Sequence, residues 1–218
     1  MEPQEVNAIS ASKTGENSKA LAVAKWLTAA AIDGVGPLSS ADKLAQEYLI
    51  DVSYPDNDER VDSLINWETS KNFTAGFITG LGGLLTLPAT IPAALGASWI
   101  IQSRMVAAIA RIYGHDPKDE RVQTAILMVI AGQDLKEVCK QTGIKIGTKF
   151  TYKVIEQLPR SLLVKINEMV GFRLLTKAGE KGIINLTKIV PVVGGVIGGG
   201  VDAITCRIVG KAAKRAFR

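Results

Sequence analysis

His115 is the one histidine in this 218-residue chain, and it stands beside Asp116 in the segment YGHDPKD. An imidazole next to a carboxylate can carry a proton, but acid–base work needs a second positioned group and metal binding needs further ligands. The sequence around His115 offers no second His, no nearby Cys and no paired carboxylate. Turn and capping chemistry account for these residues. Cys139 and Cys206 lie in helix-like segments without metal-ligand spacing, so two buried thiols in a reducing compartment are expected rather than a disulfide.

Two glycine clusters invite a nucleotide reading. VVGGVIGGGVD near the C-terminus and GLGGLL at Gly80 both lack G-x-G-x-x-G spacing, and neither sits in a visible βαβ unit. KIGT at 145–148 is no phosphate loop, because the chain has no G-K-[ST]. Helix packing is the expected use of these glycines, and no catalytic residue, metal or cofactor is assigned.

The last twelve residues, RIVGKAAKRAFR, hold Arg207, Lys211, Lys214, Arg215 and Arg218 and no acid. Spacings of three and four put these cations on one broad face of a helix behind a very apolar run. Such a face suits anionic lipid headgroups, at about 1 kcal/mol per charge. It equally suits a solvated helix end whose cations complement the helix dipole.

The element that organises the chain is the uncharged run Asn72–Ser103, 32 residues between Lys71 and Arg104. It is long enough to cross a bilayer, which takes about 20 apolar residues. Pro88 and Pro92 interrupt it, however, each lacking an N–H and clashing with the preceding turn. The first arm, Asn72–Leu87, would reach roughly 24 Å as a helix, which is short for a span. The second arm, from Pro92, reads as amphipathic, with Arg104 and Arg111 on its polar side. Two short helices joined at Thr86–Pro92 are therefore expected. Small residues at four-residue spacing (Gly76 and Gly80; Ala75, Thr79 and Gly83; Ala89, Ala93 and Ala97) allow close backbone approach. The hairpin is the buried centre of a helical domain, a partly inserted membrane element or, ranked last, a pair of true spans. In the second case Phe77, Leu84, Leu85 and Trp99 are the side chains expected to enter the apolar phase.

Composition bounds the class. Apolar residues make up 47% and charged residues 22%, and the mean hydropathy is +0.18. One domain with a real core is expected over 19–218, after a disordered polar tail at 1–18 that lacks the apolar region of a secretory signal. Net charge +5 conceals an asymmetry. Asp33–Glu68 holds nine acids and two bases, whereas Lys136–Arg218 holds 16 bases and five acids. The basic half can steer toward an anionic surface. Nucleic acid ranks below lipid or an acidic partner, since the basic half has few aromatics and matches no reading motif.

No alternating strand run appears, and the pattern predicts an all-α fold of roughly eight helices around the glycine-rich hairpin and a glycine-rich C-terminal helix. Helices are expected over Lys19–Ile32, from Ser39 (with Asp42 as a capping pair) to about Val52, and over Glu59–Ser70 with a stripe of Val61, Leu64, Ile65 and Trp67. Further helices are expected over Ala94–Tyr113, from Asp116–Pro117 to about Ala131, from Asp134 to Gln157, and over Ser161–Lys177. A loop is expected at Gly179 and Gly182, and Pro191 opens the last helix.

The blocks GFITGLGGLLTLPATIPAALGASWIIQSRMVAAIARIYGHDPKDERV and INEMVGFRLLTKAGEKGIINLTKIVPVVGGVIGGGVDAITCRIVGKAAKRAF resemble the signature blocks of the EcsC family, and PLSSADKLA also fits. The resemblance covers about Gly36 to Arg218. It implies a bacterial protein of a family named for an operon that also encodes a transporter linked to secretion, with no catalytic residues to carry over. The uncharged run and the charge asymmetry add the expectation of a non-enzymatic, membrane-associated helical protein accessory to such a process. The expected setting is the cytoplasmic membrane, peripheral or partly inserted, with anionic lipid or a transporter protein as partner. A soluble scaffold with the hairpin buried is the alternative. The sequence leaves the oligomeric state open.

Overall fold

A computed structural model describes residues 3–73, 91, 93–132, 135–144, 151–187 and 194–218. Among them are nine helices and no strand: α1 (Pro3–Asp33), α2 (Ala41–Leu49), α3 (Asn57–Phe73), α4 (Ala93–Ile112), α5 (Glu120–Ala131), α6 (Leu135–Thr142), α7 (Tyr152–Glu156), α8 (Arg160–Thr187) and α9 (Gly194–Phe217). The fold is all-α, as the pattern predicts. The first arm of the uncharged run, with Phe77, Leu84 and Leu85, lies outside the described residues.

α4 sits at the centre. Every residue from Gly96 to Ala110 is buried, because α1, α2, α3, α5 and α9 all pack on it. A helix that is apolar all round needs such a cover. The expectation that Arg104 and Arg111 share a polar side of α4 is corrected for Arg104, which is buried, whereas Arg111 near the helix end is exposed and lies 3.4 Å from Asp42 Oδ1. Gln102 Nε2 donates to Ser98 Oγ at 3.0 Å, and Arg104 reaches Ser39 and Glu68. Gly114 (φ +89°) closes the helix, with the His115 N–H donating to the Ala110 carbonyl and the Gly114 N–H to that of Arg111. Only a residue free to adopt positive φ ends a helix this way at low cost.

Two glycines set the closest helix contacts. A Cβ on Gly171 of α8 would run into the backbone carbonyl of Ala20 on α1. Around that point the Leu163, Ile166, Val170 and Leu174 stripe of α8 and the Ala20, Val23, Ala24 and Leu27 stripe of α1 are buried. A Cβ on Gly210 of α9 would lie 2.7 Å from Ile65 Cγ1 on α3. Both glycines serve helix packing.

Helix starts differ from expectation by small steps with clear causes. Ser40, not Ser39, caps α2, accepting from the Lys43 N–H at 3.1 Å. Ser39 is held instead by Arg104. Asp119 caps α5 through the N–H groups of Arg121 and Val122, while Asp116 closes an Asx turn on Lys118. The helix expected from Asp134 to Gln157 is two, α6 and α7, the first ending at Gly143 (φ +74°). α8 continues through Gly179 and Gly182, where a loop is expected. α1 begins at Pro3 rather than near Lys19. Its upstream residues include Ala8, Ala11, Glu5 and Lys13, good helix formers that let the helix extend into the segment expected as a tail.

Candidate functional surface

The charge asymmetry of the sequence is partly folded against itself. α3 and α9 run antiparallel, and Lys214 Nζ meets Asp62 Oδ2 at 2.8 Å and the Asp58 carbonyl at 3.1 Å. Arg218 meets Asp58 Oδ2 at 2.7 Å, and the Tyr113 hydroxyl donates to Asp58 Oδ1 at 2.6 Å. That hydrogen bond, then Lys214 and Arg218, holds the Asp58 carboxyl below its usual range. Burial first, and then the same bond, raise the Tyr113 phenol. Two of the five C-terminal cations are thus ion-paired with α3.

Arg207, Lys211 and Arg215 are exposed, and none meets a carboxylate among the described residues. The single bond given for them runs within the helix, from Arg215 Nε to the Lys211 carbonyl at 3.1 Å. At 100° per residue these three side chains share one stripe with Ile204 and Ile208, which are 63% and 61% exposed. The opposite face of α9 buries Cys206, Val209, Ala213, Ala216 and Phe217. The two isoleucines escape notice in a reading by charge alone. Their four-residue spacing, interleaved with Arg207 and Lys211, is the signal that marks them.

Trp99 is placed in the core, 8% exposed, among the buried residues around α4. Its neighbours along α4, from Gly96 to Ala110, are buried with it. Trp67, expected on the buried stripe of α3, is exposed instead, and Glu68 takes the inward position. Glu68 stands four residues after Leu64 and three after Ile65 and so shares the face of both, whereas Trp67 follows Leu64 alone at such a spacing.

The remaining reactive groups serve structure. His115 Nε2 donates to the Phe217 carbonyl at 2.9 Å, and its ring packs edge-on against Tyr152 at 4.6 Å and beside Phe217. This cluster ties the turn after α4 to the end of α9. Burial pushes the Cys139 thiol up to about 11, which leaves it protonated at neutral pH. Cys206 is buried against Met105, Sγ to Sδ 3.9 Å. Among the described residues no three metal-ligating side chains gather. A groove of about 140 Å³ between α1, α5 and α8 is lined by Lys25, Thr28, Gln123, Arg160 and Asn167. Its Arg160 is held by Glu120 at 2.6 Å.

Among the described residues no helix is long and apolar enough to cross a membrane. Comparison with curated proteins and with solved structures finds no match. A family model, that of the EcsC protein family, matches residues 16–218, nearly the whole chain. The chain belongs to the EcsC protein family.

Proposed function

We propose that this chain is a non-enzymatic helical protein that docks on an anionic membrane surface through the outer face of α9. The observation that carries the reading is the stripe of Ile204, Arg207, Ile208, Lys211 and Arg215, with two bare isoleucines between three cations that no described carboxylate neutralises. Three cations at about 1 kcal/mol each give roughly 3 kcal/mol of attraction at an anionic surface. Burying the exposed part of each isoleucine adds about 1–2 kcal/mol more. Together these suffice for reversible, salt-sensitive attachment. The cytoplasmic leaflet, where anionic lipid concentrates, is the surface this face fits. Service beside a transporter or secretion apparatus is the setting the family resemblance implies, and attachment of this kind is compatible with it.

A second reading, a protein-binding scaffold with the glycine-rich hairpin in its core, draws support from α4. The second arm of the uncharged run leads into that helix, whose residues from Gly96 to Ala110 are buried. The two readings part in flotation with vesicles. Binding that requires anionic lipid, fades in salt and falls about a hundredfold in Arg207→Gln/Lys211→Gln/Arg215→Gln supports the membrane surface. A protein that stays in solution with every lipid composition supports the scaffold.

A further inference from the structure

The acidic half carries its own apolar projection. In the loop between α2 and α3, Ile50 is 66% and Val52 95% exposed. The loop is braced. Asp51 Oδ1 accepts from the Ser53 N–H at 2.9 Å, and the Tyr54 and Ser63 hydroxyls bond at 2.7 Å. Arg60 Nε donates to the Tyr48 carbonyl at 3.0 Å, and its Nη2 reaches the Asp51 carbonyl. Two large aliphatic side chains are therefore held out into solvent by a fixed framework. Glu47, Asp51, Asp56 and Glu59 lie exposed in and beside this loop. The one cation of the segment, Arg60, is committed to the carbonyls above and to Asn57 Oδ1.

This patch is the complement of the outer face of α9: two exposed aliphatic residues among acids here, two among cations there. The C-terminal end of the stripe, at Arg215, lies near the loop, and the stripe runs back from there past Gly210, which faces Ile65 of α3. The loop leads into the start of α3, where Asp58 takes Arg218 from the end of α9, and Arg215 is less than one turn earlier. Among the described residues the α9 cations that meet α3 are Lys214 and Arg218, which leaves the α9 stripe open.

We propose that a second copy of this chain covers the stripe, the α2–α3 loop of each protomer seating on α9 of the other about a twofold axis. In a twofold interface each contact occurs twice, so the loop and stripe of one protomer engage the stripe and loop of the other. Opposite charge fixes the pairing and makes it salt-dependent. The inference rests on the same α9 face as the membrane reading and adds its regulation. The stripe has one occupant at a time, so the dimer holds it in solution and anionic lipid competes for it.

Sedimentation equilibrium of the full chain tests this. The expected result is a reversible monomer–dimer equilibrium that weakens at least tenfold in about 1 M salt, where the Debye length falls to about 3 Å. Ile50→Asp/Val52→Asp and Arg207→Gln/Lys211→Gln/Arg215→Gln should each remain helical by circular dichroism and lose the dimer. An equimolar mixture of the two should regain association, because a mixed pair keeps one loop and one stripe intact. A wild-type chain that is monomeric at every concentration, a dimer indifferent to both sets of changes, or assembly beyond two copies would overturn the proposal. Flotation separates its failure from that of the membrane reading. On phosphatidylserine vesicles the loop variant should float at least as well as wild type, and weaker flotation would show that loop and lipid do not compete. If neither protein floats while the dimer behaves as expected, the membrane reading alone fails.

Discussion

α4 and α9 are both apolar helices with glycines and cations, and the sequence offers each as a candidate membrane element. The fold treats them in opposite ways. In the middle of α4 Arg104 is turned inward, while Arg111 near the helix end is half exposed: Arg104 Nη2 lies 3.2 Å from Glu68 Oε1, with both side chains buried, and Nη1 bonds Ser39. In α9 the cations Arg207, Lys211 and Arg215 stay in solvent, and Ile204 and Ile208 stay there with them. Hydropathy measures how much apolar surface a helix has. Whether that surface faces the core depends on where the partners of its charges lie, and those partners are far away in sequence.

Substitutions sharpen this contrast, beginning with the buried pair. Arg104→Met leaves the Glu68 carboxylate buried without its main partner and should cost about 3–5 kcal/mol in urea unfolding. Adding Glu68→Leu should recover most of that loss, since a buried pair contributes little net stability against a well-packed apolar replacement. Arg207→Gln on α9, by contrast, should shift stability by no more than about 0.5 kcal/mol.

The helix contacts give a middle-sized effect. Gly171→Ala forces a methyl group against the Ala20 backbone and should cost about 1–3 kcal/mol, read from the shift in the urea midpoint. Gly210→Ala meets the buried, β-branched Ile65 side chain, with Cγ1 at 2.7 Å, rather than backbone. Alanine's helix propensity, about 1 kcal/mol better than glycine's, offsets part of that clash, so this variant should lose less than Gly171→Ala. An equal loss in both would mean that α3 and α9 are as rigidly apposed as α1 and α8.

The smallest effect concerns the α3–α9 charges. Because the folded Asp58 pKa lies below its ordinary value, its contribution is present above the unfolded value, about 3.9, and is lost as pH falls through the folded one. Asp58→Asn should therefore flatten the decline of stability below about pH 4, followed by thermal unfolding across that range. An unchanged acid limb would show that Asp58 is not held by Tyr113, Lys214 and Arg218 in solution.

Local signals were the legible part. Gly114 and Pro159 mark real boundaries, the alanine-rich segment from Lys19 is helical, and the lack of strand periodicity gives the fold class. Adjacent serines blurred the α2 cap by one residue, because either hydroxyl could fill the role until Arg104 claims Ser39. Glu68 was hidden for another reason. A carboxylate on the inward face of a helix reads as a flaw in the stripe unless its partner, 36 positions away, is known. The charge asymmetry was visible, but not that Lys214 and Arg218 spend part of it on Asp58 and Asp62. The sequence pattern places Ile50 and Val52 at the end of a helix, and only the bracing by Arg60 and Asp51 shows them as a presented pair.

The most direct test compares the depth of the two helices in a membrane. Single-tryptophan proteins, one keeping Trp99 with Trp26 and Trp67 changed to Phe, the other carrying Ile208→Trp as its sole indole, would be mixed with anionic vesicles of brominated lipid. Quenching at position 208 with Trp99 unaffected is the result expected if α9 meets lipid while α4 stays in the core. Quenching of Trp99, with position 208 left bright, would contradict it and return the uncharged run to the membrane.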